Sequence, residues 1–143
     1  MFQDGMKLSG KLTISINDDV VKEVDNLVVT AGKGFVASRM KDTTDAAMSH
    51  MAVGTGNTAA AAGDTALGTE SARVALTSTS VSSNVITYAA TFAAGTPSSA
   101  AAITEAGLFN ASSGGTMLCR TVFDVVNKGT ADSMTISWAV TVS

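Results

Sequence analysis

The stretch Met134-Thr-Ile-Ser-Trp-Ala-Val-Thr-Val142 alternates between large apolar side chains and small or polar ones. The apolar side chains all occupy one set of alternate positions: Met134, Ile136, Trp138, Val140 and Val142. Successive side chains of a β-strand point to opposite faces, so a period of two is typical of a strand with one buried face. The stretch therefore predicts a strand that commits the only tryptophan to a core.

The same alternation recurs upstream of this strand. Residues 7–16 alternate, Asn17-Asp18-Asp19 has the composition of a turn, and Val20–Val29 resumes a strand pattern, which together predict a hairpin. Further strands are predicted at the following ranges: 48–54, 73–80, 84–94, 103–110, 117–126 and 132–142. Seven to nine short strands, with a turn about every ten residues, favour one antiparallel β-sandwich domain over residues 1–143.

Two other elements complete the prediction. One short helix is expected near residues 31–41, with Thr30 as its N-cap and Phe35, Val36 and Met40 as its apolar face. Turns are expected at Ala111–Gly115, where adjacent glycines permit positive φ, and at Asn127-Lys128-Gly129.

The charge distribution limits the kinds of partner that the sequence predicts. The net charge is −3 and the pI is near 4.9, which gives no footprint for nucleic acid or for an anionic membrane. Residues 1–45 hold 13 of the 21 charged side chains, so the remaining 98 residues hold only eight. Neighbouring subunits covering this surface would explain the scarcity, and so would a soluble surface rich in Ser and Thr.

The residues available for chemistry are few. Cys119 is the only cysteine, in an apolar run that predicts burial, and His50 is the only imidazole. One His and one Cys do not make a zinc site. Gly54-Thr55-Gly56 lacks the third glycine of a dinucleotide loop and is interpreted as a turn. The sequence therefore predicts no catalytic, cofactor-binding or metal-binding residues, and no enzyme.

Four charged residues are predicted to form structural ion pairs. Glu70 precedes Arg73 by three residues, and Arg120 lies in the strand that follows the one holding Glu105. Each carboxylate is isolated in a charge-poor region, and a paired counter-ion, within or between subunits, would explain its presence. Asp18 and Asp19, by contrast, lie in the predicted exposed turn.

Several short elements resemble a known class of protein in their order and spacing. They are Met48-Ser-His-Met-Ala-Val-Gly-Thr-Gly-Asn57, Thr65-Ala-Leu-Gly-Thr-Glu-Ser-Ala-Arg73, Ile103-Thr-Glu-Ala-Gly-Leu-Phe109, Leu118-Cys-Arg-Thr-Val-Phe123, and Asn127-Lys-Gly129 before the Trp-containing strand. In this order the elements are similar to tailed-bacteriophage virion structural proteins of the tail-collar or tail-fibre type, over roughly residues 27–142.

The resemblance implies a β-rich virion component without catalytic role or cofactor, whose partners are other virion proteins. Such fibres usually continue into long shafts, whereas this sequence ends at Ser143, so a compact tail or fibre-associated adaptor that assembles as a homo-oligomer is expected. Two alternatives stay open: a capsid cement or decoration protein, and a small receptor- or carbohydrate-binding module. The hairpin within residues 1–26 is a candidate docking arm.

Overall fold

The structure, a computed structural model, describes residues 5–143 as two packed antiparallel sheets with one helix. The elements are β1 (Leu8–Ile16), β2 (Asp19–Asp25), β3 (Leu27–Val28), α1 (Thr30–Lys41), β4 (His50–Gly54), β5 (Glu70–Ala75), β6 (Ser78–Ser82), β7 (Val85–Phe92), β8 (Ala101–Phe109), β9 (Met117–Lys128) and β10 (Met134–Val142). Strands account for 52% and the helix for 9% of the described residues, which confirms the predicted mostly β sandwich.

Sheet A has the strand order β2-β1-β10-β7-β6. The alternating C-terminal strand β10 is its centre, pairing with β1 on one side and with β7 on the other. Met134, Ile136, Trp138 and Val140 are buried, as the alternation predicts, and Val142 is partly buried. Because β10 is bonded along both edges, its side chains anchor the middle of the core.

Sheet B has the order β3-β9-β8-β4-β5 and packs its inner face against sheet A. The largest side chains in the space between the sheets include Trp138 and Phe92 from sheet A and Met51, Ile103 and Leu108 from sheet B, all fully buried. Burying each such apolar side chain contributes about 1.5–3 kcal/mol. This interlocking of two alternating faces is the main source of stability for the fold.

Two predicted strands are each divided between the sheets, so residues 5–143 hold ten strands rather than seven to nine. The Val20–Val29 segment leaves sheet A at Asn26 and continues in sheet B as β3. The Arg73–Ser80 segment leaves sheet B after Ala75 and enters sheet A as β6. No glycine or proline marks either crossing, so each segment has the composition of one continuous strand.

The turns agree with the sequence at two places and differ at a third. Asn17 and Asp18 have φ of 49° and 71°, and Gly114 and Gly115 have φ of 58° and 75°. The turn predicted at 127–129 is wrong in its first part, because β9 continues to Lys128. The Lys128 side chain is buried, and its ammonium group donates a 3.1 Å hydrogen bond to the Ala93 carbonyl.

Helix α1 lies where it was expected, but two details differ. Thr30 is the first helical residue rather than the N-cap; Val29 holds the N-cap position and its side chain makes no capping bond. Phe35 is buried against the core, whereas Met40 is 75% exposed and does not belong to the packed face. The helix also packs through Gly32, whose missing Cβ lets the helix approach the Leu118 carbonyl of β9.

The N-terminal hairpin is part of sheet A. Strand β1 is bonded to β2 on one side and to β10 on the other, and the Lys7 and Ser143 backbones exchange hydrogen bonds of 2.6 and 2.8 Å. Residues 1–4 of the predicted docking arm lie outside the described residues.

Two glycines of α1 give a matched test of the packing. A Cβ on Gly32 would lie 2.0 Å from the Leu118 carbonyl oxygen, whereas one on Gly34 would meet nothing within 4 Å. Gly32→Ala should therefore lower the free energy of unfolding by about 1–3 kcal/mol through overpacking. Gly34→Ala should raise it by up to about 1 kcal/mol through helix propensity. Urea unfolding followed by Trp138 fluorescence measures both, and equal effects of the two variants would contradict this packing.

Candidate functional site

Glu105 lies on strand β8 of sheet B, and its side chain is fully buried. It accepts five hydrogen bonds. Three come from backbone amides, those of Gly56, Gly68 and Thr69, each at 2.7 Å. Two come from the Arg120 guanidinium, at 3.2 Å from Nε and 3.0 Å from Nη2. A carboxylate offers about four lone-pair directions, so these donors leave neither oxygen free.

Arg120 extends the same network toward the chain that connects β4 to β5. It is 2% exposed, and it reaches Glu105 from the neighbouring strand β9. Its Nη1 donates to Asp64 Oδ2 at 2.9 Å and its Nη2 also donates to the Thr58 carbonyl at 2.9 Å. Residues 55–69 have no regular strand or helix, and the Glu105–Arg120 pair fixes them at five points.

Two glycines are required where this segment approaches the carboxylate. A Cβ on Gly56 would lie 2.3 Å from Glu105 Oε2, and a Cβ on Gly54 would lie 2.7 Å from the same oxygen. The Gly54-Thr55-Gly56 sequence thus brings the backbone N–H of Gly56 close to an anion, as glycine-rich loops do. Here the anion is the protein's own Glu105.

The hydrogen bonds set the ionisation state of Glu105. Burial raises the pKa of Glu105, but the donors at Thr69, Gly68, Arg120 and Gly56 together lower it by more, so its pKa lies below the ordinary value of 4.5. A general acid at neutral pH needs a raised pKa instead. Glu105 is an ionised, fully bonded structural carboxylate.

A second ion pair lies at the edge of the same sheet. Arg73 donates to both Glu70 oxygens, at 2.7 and 3.1 Å, and its Nη1 donates to the carbonyls of Ala111 and Gly114 at 3.0 and 2.9 Å. Its guanidinium carbon lies 3.7 Å from the centre of the Phe109 ring. Arg73 therefore ties the edge strand β5 to the connection between β8 and β9.

The structure thus brings Glu105 to Arg120 and Glu70 to Arg73, each pair within this chain. Sequence reasoning missed the partners on the irregular segment, namely Asp64 and the amides of Gly56, Gly68 and Thr69. The available signal was an isolated carboxylate in a charge-poor strand, since such a group needs donors from somewhere. Backbone donors have no side-chain signature, so their positions could not be predicted.

The other candidate groups stand apart from this network. Cys119 is buried, and burial raises the pKa of its thiol well above the ordinary value, which leaves it a poor nucleophile. His50 is half-buried, with Nδ1 2.8 Å from Ser49 Oγ. Asp18 and Asp19 are exposed, as predicted. Within residues 5–143, no three His, Cys, Asp or Glu side chains gather closely enough to hold a metal ion.

Comparisons with known protein families, with curated proteins and with solved structures found no match to this chain. In the part of the chain that the structure describes, no helix has the length and apolar character needed to cross a membrane.

Replacing the buried carboxylate should change how stability depends on pH. Because the pKa of Glu105 is lowered in the folded state, its contribution is complete above about pH 4.5 and is lost as the pH falls through the folded value. Glu105→Gln should lower the free energy of unfolding at pH 7 by about 3–5 kcal/mol, since it leaves buried Arg120 without its counter-ion. Below pH 4.5, the free energies of unfolding of Glu105→Gln and of the unsubstituted protein should become closer to each other.

Glu23→Gln is the matched control, because Glu23 pairs with Lys11 at 3.5 Å while both side chains are more than half exposed. Its effect should stay below about 1 kcal/mol. Urea unfolding at a series of pH values measures all three proteins. If Glu105→Gln lowers the free energy of unfolding by the same amount at pH 7 and below pH 4.5, the assigned role of Glu105 is contradicted.

Proposed function

We propose that this chain is a non-enzymatic structural subunit of a bacteriophage virion, a compact tail or tail-fibre-associated protein that assembles with copies of itself and with other virion proteins. The virion assignment rests on the sequence resemblance. The structural observation that supports it is that the resembling elements meet at one hydrogen-bond network, the one around Glu105 and Arg120.

Four of these elements supply the network and its surroundings. Residues 48–57 supply the Gly56 amide, residues 65–73 supply the Gly68 and Thr69 amides, residues 103–109 supply Glu105, and residues 118–123 supply Arg120. Segments distant in sequence are thus linked by one buried carboxylate. The resembling elements thus contain the residues that hold the segment between β4 and β5 in place, which suits a protein with a structural role.

The surface of sheet A supports an assembly role. Residues 74–104 contain no Asp, Glu, Lys, Arg or His, and neither does β10. The side chains that β10, β7 and β6 direct away from the core are therefore small or uncharged: Thr135, Ser137, Ala139, Thr141, Val85, Thr87, Ala89, Thr91, Ser78, Ser80 and Ser82. Charges are depleted at the centres of protein interfaces.

Strand β6 adds an open edge to this face. All five of its residues are exposed, Val81 to 70%, and it carries no charge or proline. Natural proteins usually protect an edge strand with such residues or by covering it. An unprotected edge beside an uncharged face suits a subunit whose neighbours cover both.

The carbohydrate-binding alternative gains no comparable support. Trp138 and Tyr88, the aromatic side chains considered for a sugar platform, are 0% and 6% exposed. The capsid decoration alternative shares the assembly surface with the proposed role, so the two differ only in where the subunit sits.

Location in the particle tests the proposal directly. Particles produced by a genome that carries this gene should bind gold-labelled antibody against the chain at the tail. Label on the head would instead establish decoration of the capsid, and purified particles that carry none of the chain would overturn the structural role.

A substitution on the uncharged face tests how the chain is incorporated. Ser80→Lys places a charge on exposed β6 and should leave the fold intact, because edge strands tolerate lysine. It should reduce the amount of chain in purified particles severalfold. Ser112→Lys, in the exposed connection between β8 and β9, is the control and should be incorporated normally. Equal incorporation of both variants would contradict an interface at this face.

A further inference from the structure

An acidic turn with two exposed valines projects at one end of sheet A. The tip, residues 18–21, consists of Asp18, Asp19, Val20 and Val21. The two valines are 61% and 46% exposed, and both aspartates are exposed. Neighbouring strand residues normally point to opposite faces, so two adjacent exposed valines need an explanation.

A β-bulge supplies the geometric reason. In the pairing of β1 with β2, Ile14 lies opposite Lys22 and Ser15 lies opposite Val20, which leaves Val21 as the extra residue. Bulges of this kind commonly redirect a side chain. The apolar exposure at the tip is therefore built into the backbone.

The tip is also held in one position. The Asn17 side chain donates to Asp132 Oδ1 at 2.9 Å and accepts from the Ser133 amide at 3.0 Å, and the Asn17 amide donates to the Ser133 carbonyl at 2.8 Å. These three bonds fasten the turn to the β9–β10 connection. A fastened apolar tip loses little conformational freedom when it binds.

A complementary groove lies at the other end of β1. It has a volume of about 640 Å³, and Leu8, Val36, Met40 and Val142 contribute its apolar lining. Among residues 5–143, the charged side chains that line it are Lys7 and Lys33, and none of the lining residues there carries a carboxylate side chain. Met40 is 75% exposed, so apolar surface at this groove is open to solvent.

The positions of the two surfaces decide how they can meet. Strand β1 begins at the groove with Leu8 and ends beside the tip with Ile16, about 27 Å away at the usual rise per residue. A tip so far along a rigid strand cannot enter the groove of its own chain. It can enter the groove of a second copy, where its aspartates would face Lys7 and Lys33.

We propose that copies of this chain associate head to tail, with the tip of one protomer seated in the Lys7/Lys33 groove of the next. The contact joins two different surfaces, so it repeats, giving a closed ring or an open row of subunits. The inference deepens the proposed structural role and rests on it for its biological setting. The apolar contact supplies affinity, and the lysine–aspartate contacts at the rim fix the orientation and weaken with salt.

The test uses two variants with damage on opposite surfaces. The tip variant is Val20→Ser with Val21→Ser, and the groove variant is Lys33→Glu with Met40→Ser. All four side chains are exposed, so the folds should survive, which Trp138 fluorescence and circular dichroism check. Val125→Ser, at a valine that is 52% exposed on β9, is the matched control.

Sedimentation velocity over a range of protein concentrations gives the readout. The unsubstituted chain and the control should form species larger than two protomers, and added salt should shift them toward the monomer. Each variant alone should remain monomeric. An equimolar mixture of the two variants should form pairs and nothing larger, because it contains one intact tip and one intact groove for each pair.

Three results would overturn the head-to-tail contact: a monomeric unsubstituted chain at every concentration, a tip variant that assembles normally, or a mixture that does not pair. These outcomes are separate from the location of the chain in particles. A monomeric chain found in virions would remove this contact and leave the structural role. A chain that assembles head to tail but is absent from virions would support this contact and overturn the structural role.

Discussion

The buried pair of Glu105 and Arg120 is the interaction on which sheet B depends. Removing a carboxylate and a guanidinium from water costs several kcal/mol per ion, so such a pair persists only when nearly every donor and acceptor is satisfied. Here three backbone amides complete the coordination of the carboxylate, and Asp64 and the Thr58 carbonyl complete that of the guanidinium. The partners are contributed by the segment between β4 and β5, so ordering that segment and stabilising the ions are one event.

This coupling explains where the glycines and the charges stand. Gly54 and Gly56 lack side chains because the Glu105 carboxylate and, at Gly54, the Thr69 carbonyl occupy the adjacent space. Only eight charged side chains follow residue 45, and five of them belong to the two ion-pair networks: Asp64, Glu70, Arg73, Glu105 and Arg120. After residue 45, most charged side chains thus form ion pairs on sheet B or on the segment beside it, whereas β6, β7 and β10 of sheet A carry no charged side chain. The two sheets differ in role: sheet B is held by buried ion pairs, and sheet A presents an uncharged surface over β10, β7 and β6.

How far the fold could be predicted from sequence depends on how locally each feature is encoded. The alternation in β10 is a property of nine consecutive residues, and it identified the strand and its buried face. The crossings at Asn26 and after Ala75 were missed, because neither segment contains a glycine or proline to mark a break in the strand. Met40 was assigned wrongly to the packed face, since helical spacing alone does not show that the Gly32 side of the helix contacts β9. The ion-pair residues were identified from their isolation, but their backbone partners carry no side-chain signal.

The central claim is that Glu105 holds the 55–69 segment in the folded protein, and hydrogen exchange of three amides tests it most directly. In the unsubstituted protein the amides of Gly56, Gly68 and Thr69 donate to a buried carboxylate, so they should exchange only through large-scale opening, at rates close to those of core strand amides. In the Glu105→Gln protein, under conditions where it stays folded, these three amides should exchange much faster while the amides of β10 stay protected. Three amides that already exchange rapidly in the unsubstituted protein, or that keep their protection in Glu105→Gln, would contradict the account.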